Sequence, residues 1–192
     1  GVEGASPAIR RQAAARAIFE QFPGIEIEAV RDTGWTEAGG TAAVEALLQE
    51  GYQPPDGVWC DSGLQGVGAL RTFLRSPGQT PIHTGGDLNE MYKLALTNKV
   101  PFAALDYPAA MGGRAVEVAV DILSGKPVPR RVEVPVQVVL PRGCETASVA
   151  ADIWAETHVG WDLADDAVLS QGPSVRLGHE STRSAPGVFL GS

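Results

Sequence analysis

A strand-then-helix rhythm, repeated four times at about 20–25-residue spacing, constrains this chain more than any other feature. Residues 25–30 alternate apolar and acidic side chains, the period-two pattern of a half-buried strand. A helix is predicted over 36–49, with Thr36 as N-cap, Gly51 as stop, and Ala43, Val44, Leu47 and Leu48 as its apolar stripe. Residues 57–60 read as a short buried strand, followed by a helix with Leu64, Val67, Leu70 and Leu74 on one face and Pro77-Gly78 at its end. Residues 81–84 lead into a helix over about 88–98. Residues 102–105 lead into another over 108–124, where Pro108 suits the first helical position and Gly125 the stop. Each unit has an apolar side that must be covered. The arrangement that covers them all is an α/β fold: a doubly wound, Rossmann-like parallel sheet with helices on both faces.

The two ends of the chain break this rhythm. Ser6-Pro7 is a strong helix start, and the helix runs to about Phe22, yet only five residues precede it. The first strand is therefore expected to be missing or truncated, so that the chain begins mid-fold, as a processed or trimmed product or a fragment. Beyond Gly125, Val132, Val134, Val136 and Val138 alternate with Glu133, Pro135 and Gln137, a half-exposed strand that Pro135 places at an edge or bend. From Gly143 onward one short helix is expected around residues 147–157, and the Ser/Gly/Pro-rich stretch over about 171–192 is expected to be disordered.

At 192 residues, 44% hydrophobic and 20% charged, the chain has the composition of one globular domain, or of one domain plus a tail. The net charge of −8, without a basic run, argues against nucleic acid as a partner. No apolar run approaches the roughly 20 residues of a membrane span, so no direct membrane insertion is expected. Cys60 and Cys144 fit neither a disulfide framework nor a zinc site; they are small buried residues or one disulfide. Catalytic templates fail. There is no G-x-S-x-G elbow, no phosphate loop and no G-x-G-x-x-G, and His83, His158 and His179 stand far apart without spaced ligand partners. His83, on a predicted buried strand, reads as a core histidine. No catalytic residue, metal or cofactor is expected.

What remains is a row of polar and aromatic residues at the C-terminal ends of successive strands, the edge where open parallel sheets bind ligands. It comprises Arg11 on the first helix, Trp35, Asp61-Ser62, Asp87, and Asp106-Tyr107. Carboxylates accept pairs of hydroxyl hydrogens, an arginine donates several bonds, and an aromatic face covers the apolar side of a pyranose ring. That mixture suits a neutral polyol. Each residue also has a structural reading. Asp87 and Glu90 can form a capping-box-like pair, Asp61 and Asp106 can answer helix dipoles, Arg11 can be solvated, and Trp35 can staple the helix behind Thr36.

The same segments, in the same order, resemble the ribose-type periplasmic sugar-binding proteins of the type 1 periplasmic binding protein family, whose lobes are shared with lactose-repressor-type transcription factors. The likeness runs over roughly residues 1–140. It rests on Gly1-Val2-Glu3-Gly4-Ala5-Ser6 with Arg10-Arg11, on Trp35-Thr36, and on Val58-Trp59-Cys60-Asp61-Ser62-Gly63 running into Gly68-Ala69-Leu70-Arg71. It continues through Gly85-Gly86-Asp87, Leu105-Asp106-Tyr107-Pro108 with Met111-Gly112, and Ser124-Gly125-Lys126-Pro127-Val128-Pro129. The resemblance implies sugar contacts at Arg11, Trp35, Ser62, Asp87 and Asp106. Ser62 stands where asparagine is usual, Asp106 where glutamine is usual, and Trp35 replaces a smaller aromatic, so a hydroxyl pattern other than ribose's is implied.

The resemblance further implies one lobe of a two-lobed fold: a C-terminal ligand-binding lobe over 1–128, a hinge or crossover strand over 129–142, and an extension over 143–192. Residues 132–140 would lead back to the absent lobe, and Trp154 and Trp161 would pack on it. The function implied is the substrate-binding component of an ABC-type sugar uptake system, periplasmic or extracytoplasmic, closing about a hinge and presenting itself to a membrane permease. The alternative is the effector-binding domain of a lactose-repressor-type regulator lacking its DNA-binding part.

Overall fold

Five short strands assemble in chain order into one sheet: β1 (Gly57–Val58), β2 (Ile82–Gly85), β3 (Phe102–Asp106), β4 (Gln137–Leu140) and β5 (Ile153–Trp154). The structure, a computed structural model, describes residues 1–86, 88–106, 110–134 and 136–169. Among the described residues six helices accompany the strands: α1 (Ser6–Phe19), α2 (Glu37–Gln49), α3 (Gly63–Arg75), α4 (Asn89–Thr97), α5 (Ala110–Leu123) and α6 (Ala155–His158). The order β1-α3-β2-α4-β3 is the predicted parallel crossover series, with His83 opposite Phe102 and Gly57 opposite Ile82. The sheet as a whole is mixed, because β4 runs antiparallel to β3. Thirteen residues, 124–136, separate α5 from β4. They return the chain to the C-terminal end of β3, where Gln137 pairs with Asp106.

The core lies on one side of the sheet. Val67 and Leu70 of α3, Met91, Tyr92 and Ala95 of α4, and Ala155 behind β5 pack on Phe102, Ala104 and Val139. Tyr92 stacks edge-on against Phe102 at 5.4 Å and against His158 at 5.1 Å. Alternation along the strands turns Ile82 and Leu105 to the opposite side, where both are exposed. On the helices, α1 has no buried residue, and Val116, Val120 and Leu123 of α5 are exposed.

Residues 25–30 do not form the expected strand, and Ile25, Ile27 and Val30 are exposed. Alternation alone does not hold a strand. A ladder partner is required, and none of the described strands pairs with this segment. The strand expected over 57–60 ends at Val58. Beyond it the Cys60 amide donates to Thr84 Oγ1 at 2.8 Å, and that hydroxyl donates back to the Cys60 carbonyl at 3.0 Å. Of the strand expected over 132–140, only 137–140 is regular, and it is paired on both sides, by β3 and β5. β4 therefore lies inside the sheet and not at its edge.

The described part of the expected extension, residues 143–169, packs on this sheet and its core. The helix expected over 147–157 reduces to α6, preceded by β5 alongside β4. Val159 and Leu169 enter the core beside α4. Residues from 170 onward, including the stretch expected to be disordered, lie outside the described residues.

His83 is fully buried, as read from the sequence. Its Nδ1 sits 2.8 Å from the Pro81 carbonyl, and its ring meets Phe73 edge-on at 5.9 Å. The carbonyl only accepts, so Nδ1 carries the hydrogen, and protonation must occur at Nε2, which has no hydrogen-bond partner among the described residues. Burial accordingly lowers the His83 pKa below 6.5, outweighing the opposing effect of the Pro81 carbonyl. With the folded-state value depressed, this histidine costs nothing at pH above the unfolded value and destabilises the fold as pH falls below it. Wild type should lose up to about 1.4 kcal/mol per pH unit below about pH 6.5 relative to His83→Gln. Parallel denaturant curves of the two proteins from pH 8 to pH 5 would show a common slope if the histidine were not linked to folding.

Candidate functional site

Trp35 and Asp61 occupy equivalent places, each immediately before the N-cap of a helix: Thr36 of α2 and Ser62 of α3. Thr36 performs the capping predicted for it, its hydroxyl accepting from the Gly39 amide at 3.0 Å. The two helix starts meet because glycines let their backbones touch. A Cβ on Gly40 would run into the Gln65 carbonyl, and one on Gly68 into the Glu37 carbonyl. Helix axes normally stay 8–10 Å apart on their side chains. Without those side chains, Trp35 is brought against Asp61.

Asp61 is the hub of the resulting network. Trp35 Nε1 donates to both carboxylate oxygens at 3.0 Å. Arg11 reaches over from α1, donating through Nη1 to the Asp61 carbonyl at 3.2 Å and to Oδ2 at 3.4 Å. Gln65, one turn along α3, donates to Oδ1, and its own carbonyl accepts from the Thr33 hydroxyl. The Arg11 guanidinium stands 5.8 Å from the centre of the Trp35 ring, within cation–π range. The loop is tied down from below, the Gly1 carbonyl accepting from the amides of Thr33 (3.0 Å) and Gly34 (2.8 Å). Trp35 itself has φ of +53°, a left-handed conformation rare for a bulky residue and held here by the surrounding bonds.

Exposure separates the roles. The Asp61 side chain is only 6% exposed and already accepts from three donors, whereas Arg11 keeps 34% of its surface and Trp35 is half-buried. Asp61 is thus the organiser, and Arg11 and Trp35 are the residues with surface to offer. Ser62 is half-buried, and its hydroxyl makes no capping bond. Asp106, the last residue of β3, is fully buried on the side of Phe102 and Ala104, so the structure places it beneath the edge rather than on it. Asp87 and Tyr107 lie outside the described residues. The neighbours of Asp87 are at the same edge, since a Cβ on Gly86 would come within 2.6 Å of the Leu105 carbonyl. Of the capping-box-like pair suggested for Asp87 and Glu90, only Glu90 is described: its carboxylate pairs with Arg71, which also holds Glu37, and the α4 N-cap is Leu88.

Cys60 and Cys144 are free thiols, both half-buried. Burial, and then the charge of Asp61, push the Cys60 thiol up to about 12, so it stays protonated and unreactive at neutral pH. Sequence reasoning missed Gln65 and Thr33. The available signal was position: Gln65 lies one helical turn beyond Asp61, where a side chain projects back toward the helix start.

The sequence matches the family model described as "Periplasmic binding protein domain" over residues 1–127. No curated protein matches the chain in sequence. Among solved structures, an ABC transporter solute binding protein from Thermobispora bispora DSM 43833 is similar at a TM-score of 0.68 and 18% identity, covering 98% of this chain and 56% of that one. The periplasmic binding protein component of the arabinose ABC transporter from Shewanella sp. ANA-3, bound to α- and β-L-arabinofuranose, is similar at 0.64 and 22%, covering 73% of this chain and 48% of that one. A fructose-binding periplasmic domain of a hybrid two-component system is similar at 0.65 and 22%, with coverages of 75% and 49%. At such identities the likeness is one of fold, and the chain spans about half the length of the solved structures it matches.

Proposed function

Because the chain belongs to the periplasmic binding protein family, we propose that it is the C-terminal lobe of a two-lobed, non-catalytic sugar receptor that serves an ABC-type uptake system outside the cytoplasm. In this reading residues 1–128 form the lobe and 129–142 the crossover region, of which 137–140 also belong to the lobe's own sheet. Residues from 143 form an extension. The observation that carries the proposal is the convergence of Arg11, Trp35 and Asp61 at the C-terminal edge of β1. A guanidinium and an indole, both held by one buried carboxylate, offer hydrogen-bond donors and a flat apolar face side by side. That pairing suits the hydroxyls and the ring of a monosaccharide. Ser62 and Asp87 would extend the site along the same edge, and Asp106 would support it from below.

The likeness to a fructose-binding domain of a two-component system favours a second reading, in which the same lobe serves a sensor rather than a permease. Sugar binding is common to both, and reconstituted uptake in membrane vesicles separates them.

A clamped sugar draws contacts from two lobes, and one lobe leaves the other side of the ligand in water. Titration of D-ribose, D-allose, L-arabinose and D-fructose should give micromolar or tighter binding to the two-lobed parent. This chain alone should bind no better than about millimolar, some 4 kcal/mol weaker. A parent that ignores every sugar would sink the proposal. Micromolar binding by the isolated chain would make this lobe a complete receptor.

A further inference from the structure

The extension reaches the ligand-binding edge through one residue. Asn89, the first residue of α4, is fully buried although polar. Its Nδ2 donates to the carbonyls of Gly160 at 2.8 Å and Ala164 at 3.1 Å, and its Oδ1 accepts from the Gly160 amide at 3.0 Å. The backbone repeats the pattern. The Asn89 amide donates to the Ala167 carbonyl at 2.8 Å, the Glu90 amide to the Asp165 carbonyl at 2.9 Å, and Leu88 bridges to Val168. Lys93, one turn further, donates to the Leu163 carbonyl at 2.6 Å and pairs with Asp165 at 2.8 Å.

A helix start has amides that need acceptors. In α4 two of them are supplied by a segment more than 70 residues away, and none comes from a cap side chain. The residues so held, Leu88 and Asn89, directly follow Asp87. On its other side the loop is fixed by Gly86 lying against the Leu105 carbonyl. Gly86 is thus held against β3, and Leu88 and Asn89 against the extension.

We propose that residues 155–169 are a strap that positions the loop end at Leu88 and the start of α4 at the binding edge, with Asn89 as its anchor and Lys93 as a secondary tie. Asn89 is a positioning residue and touches no ligand. The proposal deepens the sugar-receptor reading and rests on it only for the consequence in affinity. Loosening the strap should loosen the loop and weaken sugar binding, while the Arg11–Trp35–Asp61 network stays intact.

Asn89→Asp tests this in the two-lobed parent. It conserves shape and the bond from the Gly160 amide, but sets a carboxylate oxygen against two carbonyls. Hydrogen exchange should speed up in 155–169 and also in 84–90, with no change in 33–41 or 61–66. Affinity for the tightest sugar of the panel should drop about tenfold or more. Lys93→Met, with Asn89 kept, should give the same pattern more weakly, and it carries the test should Asn89→Asp fail to fold. Faster exchange confined to 155–169, with 84–90 and affinity unchanged, would overturn the strap. If the wild-type parent bound no sugar, the receptor reading would fall by itself, and exchange in 84–90 would still decide the strap.

Discussion

Trp35→Ala in the two-lobed parent is expected to lower sugar affinity by roughly 30- to 1,000-fold, a loss of about 2–4 kcal/mol. The indole offers the only large aromatic surface in the network, and its Nε1 bond to Asp61 fixes its plane. Removing it takes away the ring-covering face and also the neighbour over which Arg11 is stacked. The fold should tolerate the change, because Trp35 is half-buried and precedes the helix rather than filling the core. Its positive φ supplies an internal control. Trp35→Gly relieves a strained backbone worth about 1 kcal/mol and should be at least as stable as Trp35→Ala, yet equally unable to bind. Calorimetric titration and urea unfolding of both variants make the comparison. A stability loss of about 3 kcal/mol or more in both would reassign the residue to the core.

Asp61→Ala is expected to be the more damaging change for the lobe itself. One carboxylate serves the indole of Trp35, the guanidinium of Arg11 and the amide of Gln65. Its loss takes the acceptor from the Trp35 indole and the Gln65 amide and the ion-pair partner from Arg11, which keeps the backbone carbonyl of residue 61, costing about 2–3 kcal/mol of stability once the partial exposure of Arg11 is allowed for. Sugar affinity should fall along with it, because both presenting residues lose their anchor. Asp61→Asn retains an acceptor for Trp35 and should recover part of the stability, but not the ordering of Arg11. Thermal melts combined with titration decide. An Asp61→Ala protein that stays stable but loses binding would make Asp61 a direct ligand contact rather than an organiser.

What the sequence disclosed was local. The predicted face of Leu64, Val67, Leu70 and Leu74 placed α3, although Leu64 is exposed, and the segment predicted over 102–105 is β3, because both are read within one element. The row of polar and aromatic residues at the strand ends picked out Arg11, Trp35 and Asp61, and the structure brings them together. Other features depend on partners distant in the chain. Residues 25–30 have the right pattern but no partner strand among those described. The direction of β4 depends on how far an irregular connection travels, and no periodicity encodes that. The contact of Asn89 with Gly160 joins residues 71 positions apart, and nothing near either of them announces it. The depth of Asp61, which makes it a hub instead of a contact, follows from glycines on a different helix.

Those glycines have a thermodynamic consequence. Where α2 and α3 meet backbone to backbone, no side chains stand between them to be rearranged, and Trp35, Asp61, Gln65 and Thr33 are joined to one another. A ligand arriving at this edge finds a surface whose rotamers are settled, and it is spared the ordering cost of roughly 0.5–1.5 kcal/mol that each freely rotating side chain would exact. On this half of the site, binding energy is therefore drawn from contacts with little offset from lost protein freedom. In the proposed receptor the entropy of association would be borne mainly by the sugar and by the closing of one lobe on the other.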